Sequence, residues 1–189
     1  VDPVLLVCSA VLATAAAPPY LYQTIKGSVR PERASWFIFS VLGVIAFVSQ
    51  LSLGARTSLI FNGIDTFGSI TIFILSFWYG VGGWTRLDRI VLALASLGVL
   101  ISLSVHRPLI ALLGVVIADA CGMVPTIHKA YIEPDSESQL AWLLFATAGV
   151  FTILTIHNLR FDLLIYPVYI AIANYSVPVA MRLGRSRCT

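Results

Sequence analysis

Seven apolar stretches divide this chain, and charged or Pro- and Gly-bearing segments separate them. They run Val4–Ile25, Ala34–Leu53, Thr57–Tyr79, Leu87–Val105, Leu109–Lys129, Gln139–His157 and Phe161–Met181. Each is close to the ~20 residues a helix needs to cross a hydrocarbon layer. Charged residues make up only 11% of the 189 residues and apolar ones 58%. A soluble domain carries about 25% charged residues, so this chain has too little polar surface to face water on all sides. The strict alternation of a transmembrane barrel is absent, and lipid cannot satisfy an open sheet edge. The expectation is an all-α membrane protein with seven transmembrane helices.

The basic residues give that bundle a direction. Lys26, Arg30, Arg33, Arg86, Arg89, Lys129, Arg182, Arg185 and Arg187 fall on one side of a seven-span layout. Arg56, Arg107 and Arg160 fall on the other. The positive-inside rule then puts the N-terminus outside, the C-terminus in the cytoplasm and the chain in the cell (inner) membrane. The first apolar run follows Asp2 with no Lys or Arg, so it lacks the basic n-region of a signal peptide. The chain opens without Met, which reads as a trimmed start. Cys8, Cys121 and Cys188 form neither a paired framework nor a CxxC, so no metal and no cofactor is expected. No basic stripe with interleaved aromatics is present, which argues against nucleic acid as a partner. The expected partners are the lipid bilayer and a small-molecule solute; a homo-oligomer stays open.

The chain also repeats itself. At an offset of 106 residues Pro19 meets Pro125, Trp36 meets Trp142, Phe39 meets Phe145, Gly43 meets Gly149 and Val44 meets Val150. Three spans reverse direction, so one further span must intervene before the second unit can restart in the same sense. The expected layout is two parallel three-helix repeats, residues 1–82 and 108–183, joined by a linker helix in 83–107 and followed by a tail at 184–189. An axis along the membrane normal would relate the two units.

A Pro near the inner end of span 1, a short basic loop, and Ser-Trp or Ala-Trp opening the next span resemble the PQ-loop pattern. The residues that carry it are 19–39 and 125–145. The 3+1+3 layout with the N-terminus outside is similar to that of the SWEET sugar facilitators, here in an uncharacterised bacterial SWEET-like branch. The Pro-Gln pair itself is replaced by Pro19-Tyr20 and Pro125-Thr126, and spans 2 and 6 carry no proline. The resemblance implies a central sugar pocket with one Asn from span 3 and one from span 7, here Asn62 and Asn174.

Polar residues inside the spans mark the candidate pathway. Ser58, Asn62, Asp65, Ser69 and Ser76 recur at spacings of 4, 3, 4 and 7 along span 3, which keeps them on one helix face. Asp119, Gly122, Thr126 and Lys129 do the same along span 5 at 3, 4 and 3. An ionised carboxylate in mid-membrane costs roughly 2.5–3.5 kcal/mol and normally faces a wet interior. A central cavity between the repeats is therefore expected, with Asn62, Asp65, Ser69, Asp119 and Asn174 facing it and Tyr20, Tyr169 and Trp36 closing around a solute. Pro19 and Pro125 are the candidate hinges and His128 a candidate gate. Trp36, Trp142, Trp78 and Trp84 are expected to form an interfacial aromatic belt.

The expected function is movement of a small polar solute, by resemblance a sugar, by alternating access through that cavity. The alternatives are a vitamin or nucleoside carrier, a proton-coupled amino-acid-type carrier using a membrane acid, and, from another class, a receptor or scaffold without flux. No enzyme is expected. "NGID" has no second membrane aspartate to act with it, and no serine has a histidine at its depth. Span 7 has no lysine for a retinal Schiff base.

Overall fold

Helix ends in this chain fall where capping chemistry is available. The α1 helix (Pro3–Ile25) stops at Gly27, whose φ of 74° suits the left-handed residue after a helix. Gly27 N–H donates to the Thr24 carbonyl at 2.9 Å and Ser28 N–H to that of Gln23 at 3.0 Å, which satisfies the last carbonyls. The α2 helix (Arg33–Ser52) opens on Glu32, whose Oε2 accepts from Ser35 N–H at 2.8 Å. A reciprocal box starts α4 (Arg86–Ser104): Thr85 N–H donates to Asp88 Oδ2, and Asp88 N–H to Thr85 Oγ1. The α5 helix (Pro108–Ile132) ends just before Glu133-Pro134, since the residue before a proline disfavours the helical region. A 3-10 turn, Pro134–Ser136, leads to α6 (Gln139–Leu154), where the Ser138 side chain accepts from Ala141 N–H. The remaining helices are α3 (Thr57–Tyr79) and α7 (Phe161–Arg185).

The structure is a computed structural model describing residues 3–52, 57–83, 85–104, 108–156 and 161–187. Among these residues it is all-helical with seven α-helices, and each coincides with one expected apolar stretch. Ends differ by three or four residues at α5, α6 and α7. In α5 and α7 the helix runs past the apolar stretch because nothing from Ala130 to Ile132, or from Arg182 to Arg185, breaks it. Pro18, Pro19, Pro125, Pro167 and Pro178 all lie inside helices that continue through them.

In each half a middle helix joins the other two. The α3 helix packs on both α1 and α2, and α7 packs on both α5 and α6. Between these groups α1 packs on α6 and α5 on α2, while α4 lies mainly along α5. Helix bounds repeat at the interval already read from the sequence. Shifting α1, α2 and α3 by 106 residues gives 109–131, 139–158 and 163–185, against Pro108–Ile132, Gln139–Leu154 and Phe161–Arg185. Gly43 and Gly149, separated by that same interval, serve the same packing role. A Cβ on Gly43 would lie 2.8 Å from Thr66 Oγ1 on α3, and one on Gly149 would lie 3.1 Å from the Ala171 nitrogen on α7. Both glycines let a second helix approach more closely than a side chain would allow.

The distribution of polarity is unusual for a water-soluble bundle. Each of the seven helices exposes large apolar side chains: Val7 on α1, Val44 on α2, Phe67 on α3, Leu100 on α4, Ile117 on α5, Leu154 on α6 and Ile172 on α7. Buried positions include Ser9, Thr24, Ser40, Ser69, Ser76, Thr126, Lys129, Glu137 and Asn174. Among the described residues, Pro3–Ile25 and Leu164–Arg185 are long and apolar enough to cross a membrane by length and composition. Arg33–Ile45, Thr66–Tyr79 and Gln139–Leu154 are shorter apolar stretches.

The two close approaches generate a paired prediction. Gly149→Ala, meeting backbone that cannot swing aside, lowers stability by about 1–3 kcal/mol. Gly43→Ala, meeting the β-branched Thr66 side chain at 2.8 Å, lowers it as well. Thermal unfolding of the two purified variants checks both losses.

Candidate functional site

One end of the bundle gathers the α1–α2, α3–α4 and α5–α6 connections with most of the basic residues. There the two halves meet across a polar cluster. Lys129, in the last turn of α5, places its Nζ 2.5 Å from Glu137 Oε1, with side chains 8% and 0% exposed. The Lys129 ammonium also donates to the Arg30 carbonyl in the α1–α2 connection. Glu137 Oε2 accepts from Trp142 Nε1 at 2.7 Å, and Oε1 receives a long bond from the Tyr20 hydroxyl at 3.4 Å. Tyr20 Oη in turn accepts from Trp36 Nε1 at 3.1 Å. A single chain of bonds thus links α1, α2, α5, α6 and both adjoining connections.

The rings of that cluster fill the space between the halves. Tyr20 lies 4.9 Å from Trp36 and 6.3 Å, edge-on, from Trp142. Trp36 and Trp142, partners at the 106-residue offset, have centroids 6.3 Å apart. Outside the cluster two further ties pin the same connections. Arg30 pairs with Glu133, and Arg30 N–H donates to the Ser136 carbonyl at 2.9 Å. Arg185 of α7 holds Asp135 at 3.0 Å and Gln139 at 3.1 Å.

The candidate pathway residues sort into those this geometry brings together and those it does not. Tyr20 and Trp36 are bonded partners in the closing cluster. Tyr169 on α7 donates its hydroxyl to Asp119 Oδ2 on α5 at 2.7 Å. Asn174 is buried in α7 and gives an amide hydrogen to its own Ile170 carbonyl at 2.8 Å, so part of its donor capacity is used locally. Ser69 is buried on α3. The side chains of Asn62 and Asp65 lie outside the described ones, as does Trp84. Pro125 is buried and Pro19 half-buried. His128 is exposed, and its neighbour Lys129 is the buried cation. The helix turns about 100° per residue, which takes the two side chains to different faces.

The aromatic belt needs correction. Trp78 is 74% exposed and can serve an interface, but Trp36 and Trp142 are each only 4% exposed. Their indole N–H groups find Tyr20 and Glu137, as buried tryptophans require. The reading of the sequence also missed Lys129 and Glu137 as a pair. Lys129 closed the polar spacing along span 5, which was a usable signal. Glu137 sits in "EPDSES", where it resembles a solvated loop acid. No protein-family model, curated protein or solved structure matches this chain.

The buried ion pair sets a double-mutant test. Lys129→Met leaves the Glu137 carboxylate buried without its cation and should cost about 3–5 kcal/mol. Lys129→Met combined with Glu137→Gln should recover part of that loss, because the uncompensated charge is gone. Chemical unfolding of wild type, single and double variants measures it.

Proposed function

We propose that this chain is a membrane carrier for a small polar solute, built as two parallel three-helix repeats joined by α4 and closed at its cytoplasmic end. The matching helix bounds, the exchange-symmetric packing of α1 on α6 and α5 on α2, and the paired glycines support the repeat reading. Apolar side chains directed outward from every helix, around an interior holding amides, hydroxyls and charges, support the membrane reading.

The observation that carries the transport reading is the chemistry of the seam. The two halves meet at one end through bonds from Lys129 to the Arg30 carbonyl and from Tyr20 to Glu137, with the buried Lys129–Glu137 pair and the Trp36 and Trp142 rings beside them. Water can solvate such groups when they part, so this closure can open at a lower cost than an apolar seam of equal area. Alternating access requires a closure of that kind at each end of a central site. Asn174, Ser69, Asp119 and Tyr169 are the described residues available to that site. By its resemblance to the SWEET layout, the solute is a sugar.

The Tyr169–Asp119 bond favours a second, proton-coupled reading. A carboxyl group held by a phenol across α5 and α7 can exchange a proton as those helices separate. Asp119→Asn should then abolish the pH dependence of flux while leaving residual exchange. A flat pH profile in wild type excludes the coupling.

The main test is flux into liposomes from a panel of sugars, nucleosides and amino acids. Arg30→Cys with Glu133→Cys, in a background with Cys8, Cys121 and Cys188 replaced, should stop flux when a cleavable bis-thiol reagent bridges the pair and restore it when the bridge is cleaved. Asn174→Ala should lower uptake at least tenfold with the fold intact. Flux that ignores the cross-link, or no flux of any solute, overturns the proposal.

A further inference from the structure

A second buried carboxyl stands apart from the Lys129–Glu137 pair. Glu32 is 3% exposed, at the junction between the α1–α2 connection and α2. Its Oε2 caps α2 by accepting from Ser35 N–H at 2.8 Å, but its Oε1 is buried with no hydrogen-bond partner among the described residues. That oxygen points at the α3–α4 loop and occupies the position a Cβ on Gly82 would take. Gly82, with φ of 74°, accommodates both the turn and the carboxyl. The two connections are also joined by backbone. Val81 N–H donates to the Pro31 carbonyl and Arg33 N–H to the Val81 carbonyl, both at 2.9 Å.

The charges around Glu32 do not neutralise it. The Arg33 guanidinium lies against the same loop and donates to the carbonyls of Gly82 and Ser76, at 3.0 and 2.9 Å; its Nε is buried without a partner among the described residues, and it makes no hydrogen bond to Glu32. From α4 the nearby charge is Asp88, a like charge that is 2% exposed and caps its own helix. Arg86 and Arg89 beside it are exposed. From α5 the facing group is Lys129, already held by Glu137 and the Arg30 carbonyl. From α1 it is the neutral Tyr20. A buried carboxylate oxygen without a donor, facing another carboxylate, is a costly arrangement. The same oxygen carrying a proton costs less, because the buried charge is gone.

We propose that Glu32 is a proton-binding site that ties the α1–α2 connection to the α3–α4 loop while neutral and loosens that joint when it ionises. Burial, first, and the nearby Asp88 push its carboxyl above the usual carboxylate range, and the Ser35 N–H and Lys129 offset only part of this. The sign follows from linkage. The folded protein binds this proton more tightly than the unfolded chain does. Stability from Glu32 is therefore full below the unfolded carboxyl value and falls as pH rises towards the raised folded value. The site requires no flux, so it holds or fails independently of the carrier reading.

The test is infrared titration of the purified protein together with amide hydrogen exchange. Wild type should show the C=O stretch of a protonated carboxyl that disappears at a pH above the ordinary carboxylate range. Glu32→Gln, which keeps the oxygen that caps Ser35, should lack that band. Asp88→Asn should move its loss to lower pH. Protection of the Arg33 and Val81 amides should fall several-fold through the same pH window in wild type and stay flat in Glu32→Gln. A band that survives Glu32→Gln, one that titrates in the ordinary range, or amide protection that ignores the titration overturns the proposal. If Glu32→Gln fails to fold, the Asp88→Asn shift decides alone, and an unmoved band overturns it.

Discussion

The ion pair between Lys129 and Glu137 constrains everything around it. A charge without its counter-charge in that position would cost several kcal/mol, so neither residue can be buried unless the other is. Lys129 sits at the end of α5 and Glu137 at the start of α6, so the pair fixes the path of the turn between them. Lys129 also reaches the Arg30 carbonyl, which brings the α1–α2 connection of the other half onto the same charge. Trp142, Tyr20 and Trp36 then complete the bonds that Glu137 leaves open. With this pair removed, the seam would keep the exposed Arg30–Glu133 tie and the Arg30-to-Ser136 backbone bond but lose its buried polar bonds to Lys129 and Glu137.

The cluster is also asymmetric with respect to the 106-residue offset. At the 106-residue offset, Gln23 stands where the second half has Lys129, Pro31 where it has Glu137, and Tyr20 where it has Thr126. One half supplies both charges and the other the phenol that bridges between Glu137 and Trp36. Packing and capping roles recur at that offset, while the polar chemistry does not. Trp36 and Trp142 remain paired, Gly43 and Gly149 each seat a neighbouring helix, and Glu32 and Ser138 each cap the helix that follows. A cluster that holds one cation against one anion cannot be symmetric about that offset, and these differences supply the asymmetry.

Most of the fold could be read from the chain because its main signals are local. Apolar length, charge punctuation and glycine or proline breaks placed seven helices within a few residues, and a shared offset anticipated the repeated bounds. The closing cluster was far less legible. Whether a loop acid such as Glu137 is solvated or buried depends on what the rest of the bundle lays over it. That cover comes from Tyr20, 117 residues away in sequence. The tryptophans misled for a related reason. An indole near the end of a span suits an interface, and only a buried acceptor for its N–H moves it inside. His128 and Lys129 differ by one residue, and span boundaries uncertain by a few residues cannot say which of the two faces inward.

The two buried acids at this end also differ in kind. Glu137 is balanced by a cation and two donors. Glu32 has a cap on one oxygen and nothing on the other, so its ionised form strains the joint it occupies. They lie on different connections: Glu137 joins the halves, whereas Glu32 joins α2 to the loop that follows α3 within one half. A bundle whose halves rock needs each half to move as one body. A neutral Glu32 would give the first half that stiffness through the Val81 strap, and an ionised one would withdraw it. In the second half the matching tie is Arg185, which joins α7 to Asp135 and Gln139 by exposed bonds.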